Sequence, residues 1–86
     1  MADYKIVFAR SARKELENLE NRLAIRILNR IEKLGAEPRP GGVRKLRGST
    51  NLWRLRVGDY RIVYSVDDDG RLVDVVAVRH RSDAYR

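Results

Sequence analysis

The sequence holds no cysteine and a single histidine among its 86 residues. Without cysteine there is neither a disulfide framework nor a thiolate zinc site, a pattern that fits a reducing cytosol. One histidine excludes a histidine-rich metal centre. Long apolar runs are missing too: the amino terminus, MADYKIVF, carries Asp3 and is too briefly apolar for a signal peptide or a membrane span. The expectation is a soluble, cytoplasmic chain with no membrane partner. There is no internal repeat and no low-complexity segment. Residues 1–86 read as one domain with a modest core, since a chain of this size buries only about 60 to 65% of the surface it exposes when unfolded.

What is present is positive charge, and it is clustered. Residues 43–64 and 79–86 together hold nine bases and two acids, which accounts for the whole net charge of +7, while the rest of the chain is balanced. A solvated surface intersperses signs, so one-signed clustering is the footprint of a polyanion such as nucleic acid; an acidic protein or a membrane surface is the plainer rival.

The stretch WRLRVGDYRIVY, Trp53 to Tyr64, organises the reading. Successive strand side chains point to opposite faces, which puts Trp53, Leu55 and Val57 on one side and Arg54 and Arg56 on the other. Gly58-Asp59 supplies a two-residue turn, and Tyr60, Ile62 and Tyr64 alternate with Arg61, Val63 and Ser65 on the return. The segment is a β-hairpin with an apolar, aromatic face and a face carrying three guanidinium groups with no acid among them. Trp53, Tyr60 and Tyr64 read as core.

Upstream, YKIVF (Tyr4 to Phe8) is a strand with Tyr4, Ile6 and Phe8 on one face. Ser11 is an N-cap candidate for a helix over 12–19, with Glu15 and Glu17 favouring its amino-terminal half. Apolar residues at Leu16, Leu19, Leu23, Ile27, Ile31 and Leu34 keep the spacing of an amphipathic helix. Asn18 to Asn21 predicts a break near Glu20, and Gly35 a left-handed C-cap. Arg22, Arg26, Arg30 and Lys33 form one stripe, read as a solvated face. Pro38, Pro40, Gly41 and Gly42 make an irregular connection, VRKLRG (Val43 to Gly48) leads into a short loop, and Asp67 to Gly70 is a turn. The last strand, LVDVVAVR (Leu72 to Arg79), is nearly continuous in apolar residues and predicts a central position with both faces covered. Asp74 has no reading. The fold class is α+β, in the order β-α-α-β-β-β, with two helices on one face of a small, mainly antiparallel sheet. Parity then places Arg54, Arg56 and Arg61 on the open face, with Arg79 able to join them in phase with Ala77 and Val75.

Three motifs in order, KLRG (Lys45 to Gly48), WRLRVGDYRIVY and VRHRSDAYR (Val78 to Arg86), resemble the RelE toxins of toxin–antitoxin pairs, within the RelE/ParE superfamily, and the likeness runs the full chain. It implies a metal-independent, ribosome-dependent endoribonuclease that cuts messenger RNA in the ribosomal A site beside the 16S rRNA of the small subunit. It also implies a cognate RelB-like antitoxin. In that chemistry the 2′-hydroxyl attacks the adjacent phosphate, expels a 5′-hydroxyl and leaves a cyclic phosphate, which calls for proton transfer and for closely set cations around a phosphorane.

Carried over by position, Arg54 and Arg56 match two basic strand residues, Arg61 the arginine of the tyrosine-arginine motif, Arg79 a basic residue at the end of the last strand, and Tyr85 a terminal aromatic. Arg61 and Arg79 then clamp the scissile phosphate, and Tyr85 orients or stacks on a base. Well-studied RelE members have lysine at the two positions that are Arg54 and Arg56 here, and arginine is a poor general base. His80 and Lys45 are therefore the candidate proton acceptors, His80 pointing away from Arg79 if the strand continues and then serving a turn-stabilising hydrogen bond instead. Lys45, Arg44, Arg47 and Arg81 read as rim contacts to RNA or antitoxin, or as solvated charge. The alternatives are a ParE-like toxin, which shares the fold and acts on DNA gyrase without cleaving, and a basic RNA-binding module. Cofactors are expected to be none.

Overall fold

The computed structural model describes residues 3–82. Its elements run β1 (Lys5–Phe8), α1 (Arg10–Glu17), α2 (Asn21–Glu32) closed by a 3₁₀ turn at Lys33–Gly35, β2 (Arg44–Lys45), β3 (Leu52–Val57), β4 (Tyr60–Asp67) and β5 (Leu72–His80). The five strands form one sheet in the order β1-β5-β4-β3-β2. β1 runs parallel to β5 and every other pair is antiparallel. This is the α+β arrangement expected, with β2 as an added two-residue strand opposite Arg54 and Trp53.

The core lies between the helices and one face of the sheet. Ala12 and Leu16 of α1 and Ile27 and Ile31 of α2 stand four residues apart, one turn above another, and together with Leu34 they meet Leu55, Val57, Ile62, Tyr64, Val66, Val73, Val75 and Val78. Tyr64 is completely buried and its hydroxyl donates to Pro38 O at 2.7 Å, which ties the proline segment to the sheet. Burial pushes the Tyr64 phenol up to about 12. At the same end Arg39 grips Asp68 at 2.7 Å, Tyr4 Oη donates to the same carboxylate at 2.6 Å, and the Arg39 guanidinium lies 5.4 Å from the Trp53 ring centroid. The Arg39 guanidinium, then the Tyr4 hydroxyl, hold the Asp68 carboxyl below its ordinary value. These contacts fasten the connection before β2.

Several local expectations are corrected. The first helix covers Arg10–Glu17, with Ala9 at its N-cap and no side-chain cap bond. Ser11 lies inside it and donates to Val76 O at 3.3 Å, because the chain turns into helix as soon as Ala9 N–H has bonded Val75 O at the end of β1. Glu15 and Glu17 consequently fall in the last turn rather than in the amino-terminal half. The break at Glu20 is present, and α2 begins at Asn21. Gly35 does not adopt a left-handed conformation. It is buried in the 3₁₀ turn with no room to spare: a Cβ there would stand 3.1 Å from Tyr4 O, and Tyr4 N–H bonds Gly35 O at 2.7 Å. Close approach of the chain entering β1, not a positive φ, calls for glycine.

β5 is an internal strand, as expected, but only one of its faces is covered; Leu72, Asp74 and Ala77 remain partly exposed on the other. Its ladder with β4 pairs Val63 with Ala77 and Tyr64 with Val75, leaving Val76 as a bulge. A bulge inserts one residue and shifts the phase of everything beyond it. Val73 and Val75 therefore face the core on one side of it, and Val78 does so on the other. Val75 is in phase with the core and not with Arg79, whereas Ala77 and Arg79 share the open face. Asp74, opposite Ser65, also lies on that face, about 13 to 17 Å along the strand from Arg79 at roughly 3.3 Å per residue.

Candidate phosphate-binding face

The hairpin sets the register of the basic side chains. Val57 pairs with Tyr60 across a two-residue loop in which Gly58 alone has a positive φ, of 59°, the requirement of a loop with glycine first. From that turn Arg56 stands opposite Arg61, and on the next ladder Arg61 stands opposite Arg79. Three guanidinium groups thus form a row across β3, β4 and β5, spanning about 10 Å between its outer backbones at roughly 4.8 Å per strand. A second row runs Arg44, Arg54, Val63, Ala77. Where this row changes from arginine to small apolar residues, the surface dips.

The dip is a cavity of about 300 Å³ lined by Leu46, Arg54, Arg61, Val63, Ala77 and Arg79. Val63 and Ala77 are its floor, and three arginines surround it. A neighbouring depression of about 220 Å³ is lined by Gly42, Arg44, Arg54, Arg56 and Arg61. Arg54 and Arg61 are shared by both and are partly buried, while Arg56, Arg79 and Arg44 are exposed. Guanidinium groups are planar, permanently charged fork donors, suited to bidentate contact with phosphate oxygens. Their grouping over a shallow apolar floor makes this a candidate anion site.

The remaining candidates separate. Lys45 lies opposite Trp53, on the helix side, with Nζ 6.0 Å from the indole centroid, so it is not among the arginines. Arg47 is exposed in the turn that follows β2. Arg81 sits at the hairpin tip, its N–H donating to Asp59 O at 2.7 Å and its guanidinium 4.0 Å from the Asp59 carboxylate. His80 is still within β5 and therefore points away from Arg79. It lies edge-on to Tyr60 at 5.2 Å between centroids, and its Nδ1 accepts from Ser82 N–H at 3.2 Å with Ser82 Oγ at 2.8 Å. That is the turn-stabilising role. Trp53 packs against the core, as do Tyr60 and Tyr64. Tyr85 lies outside the described residues.

Four participants carried no site signal in the sequence. Leu46, Val63 and Ala77 shape the cavity only because strands distant in the chain align them, and Glu15 reaches the site from α1 with Oε2 3.3 Å from Arg79 Nε.

Residues 6–85 match the family described as ParE toxin of type II toxin-antitoxin system, parDE. Toxin RelG of Mycobacterium tuberculosis is 31% identical over 84 residues, covering 96% of this chain and 97% of that protein. Among solved structures, the archaeal RelE–RelB complex from Pyrococcus horikoshii OT3 superposes with a TM-score of 0.81 at 30% identity, over 92% of this chain and 96% of that one. The intact Escherichia coli RelBE toxin–antitoxin complex does so with a TM-score of 0.80 at 26% identity, over 90% and 95%. By these matches, and by a fold shared with the solved RelE structures, the chain belongs to the RelE/ParE superfamily of type II toxin–antitoxin toxins.

Proposed function

We propose that this toxin is a ribosome-dependent messenger RNA endoribonuclease whose cleavage needs no metal, and that it is held in check by a RelB-like antitoxin in the cytoplasm. The observation that carries the reading is the cross-strand row Arg56, Arg61, Arg79 with Arg54 beside it, around one cavity. The RelE-type relatives support it, and two of the similar structures are complexes with RelB.

In this reading a messenger in the ribosomal A site, beside the 16S rRNA, lays its scissile phosphate over Val63 and Ala77. The 2′-oxygen loses its proton and bonds phosphorus, and the phosphorane collapses by breaking the bond to the 5′-oxygen. That oxygen takes up a proton and leaves as a hydroxyl, while the upstream fragment ends in a 2′,3′-cyclic phosphate. Arg61 and Arg79 clamp the non-bridging oxygens, where negative charge grows in the transition state. Arg54 and Arg56 hold the flanking backbone. Arginine is too weak an acid to serve as the base, and Lys45 and His80 are on the other face. The cluster's contribution is electrostatic, and the proton is taken by a group outside it. Tyr85 is the aromatic assigned to base stacking, worth about 1 to 3 kcal/mol. Arg44, Arg47 and Arg81 contact RNA backbone or antitoxin at the rim.

The match of residues 6–85 to the ParE family supports a second reading, inhibition of DNA gyrase without cleavage. Inducing the chain in cells and mapping RNA ends separates the two. New 5′ ends within codons of translated messages are expected; intact messages with accumulating double-strand DNA breaks would reject the nuclease reading in favour of the second.

A further inference from the structure

β1 stops pairing with β5 at Phe8 opposite Val75, and Ala9 N–H closes that ladder on Val75 O. Beyond this point no strand among the described residues lies beside the edge of β5, and a backbone N–H there needs another acceptor. Glu15 of α1 supplies it: Oε1 accepts from Val78 N–H at 2.8 Å, although the two residues are 63 apart in sequence. The other oxygen, Oε2, lies 3.3 Å from Arg79 Nε. One carboxylate therefore accepts a backbone bond from β5 and forms an ion pair with the next residue along the strand, the arginine beside the cavity.

Arg79 has reason to need this. It stands directly opposite Arg61, a like-charged neighbour that pushes it away, and its side chain is 55% exposed, able to follow that push into solvent. The Glu15 side chain is more sheltered, at 31% exposed, and is pinned by the Val78 N–H. An ion pair on the Nε side draws the guanidinium toward Glu15 and leaves its two terminal nitrogens for the cavity that Arg79 lines.

We infer that Glu15 is the positioning residue for Arg79, a carboxylate fixed by the strand backbone that holds the guanidinium in the plane used for the phosphate. The geometry stands by itself; the consequence for turnover rests on the nuclease reading. Glu15 also offsets one positive charge, so it favours orientation at some expense of general attraction for RNA.

Glu15→Gln tests this, because the amide carries no charge and, with its oxygen on Val78 N–H, turns an NH2 toward Arg79 in place of Oε2. Side-chain NMR of the wild-type protein should show Arg79 Nε–H exchanging more slowly than that of the exposed Arg56, and Glu15→Gln should abolish the difference. If wild-type Arg79 Nε–H exchanges as fast as Arg56, the contact does not hold in solution and the inference is overturned, whatever the variant does. On ribosomes, Glu15→Gln should lower kcat on the order of tenfold by misorienting the clamp, with KM unchanged or lower, and should add nothing in an Arg79→Ala background. An equal loss in both backgrounds would mean a merely structural role and would also overturn it. Wild-type protein that cleaves no message would instead reject the nuclease reading, and the exchange measurement would still decide the positioning.

Discussion

Arg61 and Arg79 face one another directly across the ladder between β4 and β5, and Arg56 faces Arg61 from the other side. Like charges directly opposite in a sheet destabilise it by about 0.2 to 1 kcal/mol per pair. The proposed function gives such a row, on the face away from the helices, an anion to hold. Arg61→Ala and Arg79→Ala should therefore relieve growth inhibition while leaving denaturant stability within about 1 kcal/mol of wild type, the scale of exposed ion pairs. Growth on induction and a urea titration check the two halves. Variants that fold and remain fully toxic would refute the clamp.

Affinity for ribosomes should fall steeply and linearly with the logarithm of salt concentration, because each phosphate bound by the protein releases counterions. Replacing Arg54 or Arg56 by alanine should make that slope shallower by about 0.7 for each phosphate left unneutralised on single-stranded RNA. Titrations at several ionic strengths measure it, and a flat dependence would count against a backbone-binding face.

His80 is engaged with Tyr60 and Ser82 on the side of the sheet away from the arginines. His80→Ala should remain toxic and be less stable by about 1 kcal/mol without those hydrogen bonds. Cleavage that disappears in a folded His80→Ala protein would restore the histidine as proton acceptor.

Tyr64 links stability to alkaline pH. Its phenol is held neutral by burial, at about 12 when folded, against about 10 in an unfolded chain. A group raised on folding contributes stability that is complete below its unfolded value and is lost as pH rises through the folded one. The protein should accordingly lose stability between about pH 10 and 12. Tyr64→Phe should be less stable at neutral pH, lacking the bond to Pro38 O, yet show a shallower alkaline loss in denaturant titrations across that range. An identical slope in both proteins would contradict the assignment.

Much of this face is legible in the sequence because a hairpin obeys a strict period of two. Once Gly58-Asp59 is recognised as the turn, the parity of Arg54, Arg56 and Arg61 follows, and Leu55, Val57, Ile62 and Tyr64 must go inward. The helix break at Glu20 is legible for a similar reason, a polar interruption in a repeating stripe. The bulge at Val76 is not, since two adjacent valines look the same whether or not one of them is extra. Gly35 stands out at the helix end, but its close approach to Tyr4 O is a tertiary fact that no local pattern announces. Glu15 reads as a helix charge, and its bond from Val78 N–H and its ion pair with Arg79 exist only after α1 folds back on the strand. Local periodicity carries the site's face; long-range contacts carry its fine placement.

The most direct measurement adds purified wild-type protein, Arg61→Ala and Arg79→Ala to ribosomes translating one defined message and maps the RNA ends. New 5′-hydroxyl ends within codons are expected for the wild type, only when ribosomes are present, with a strong but incomplete reduction in both variants. An uncut message with the wild type, or wild-type cutting by both variants, would contradict the proposal.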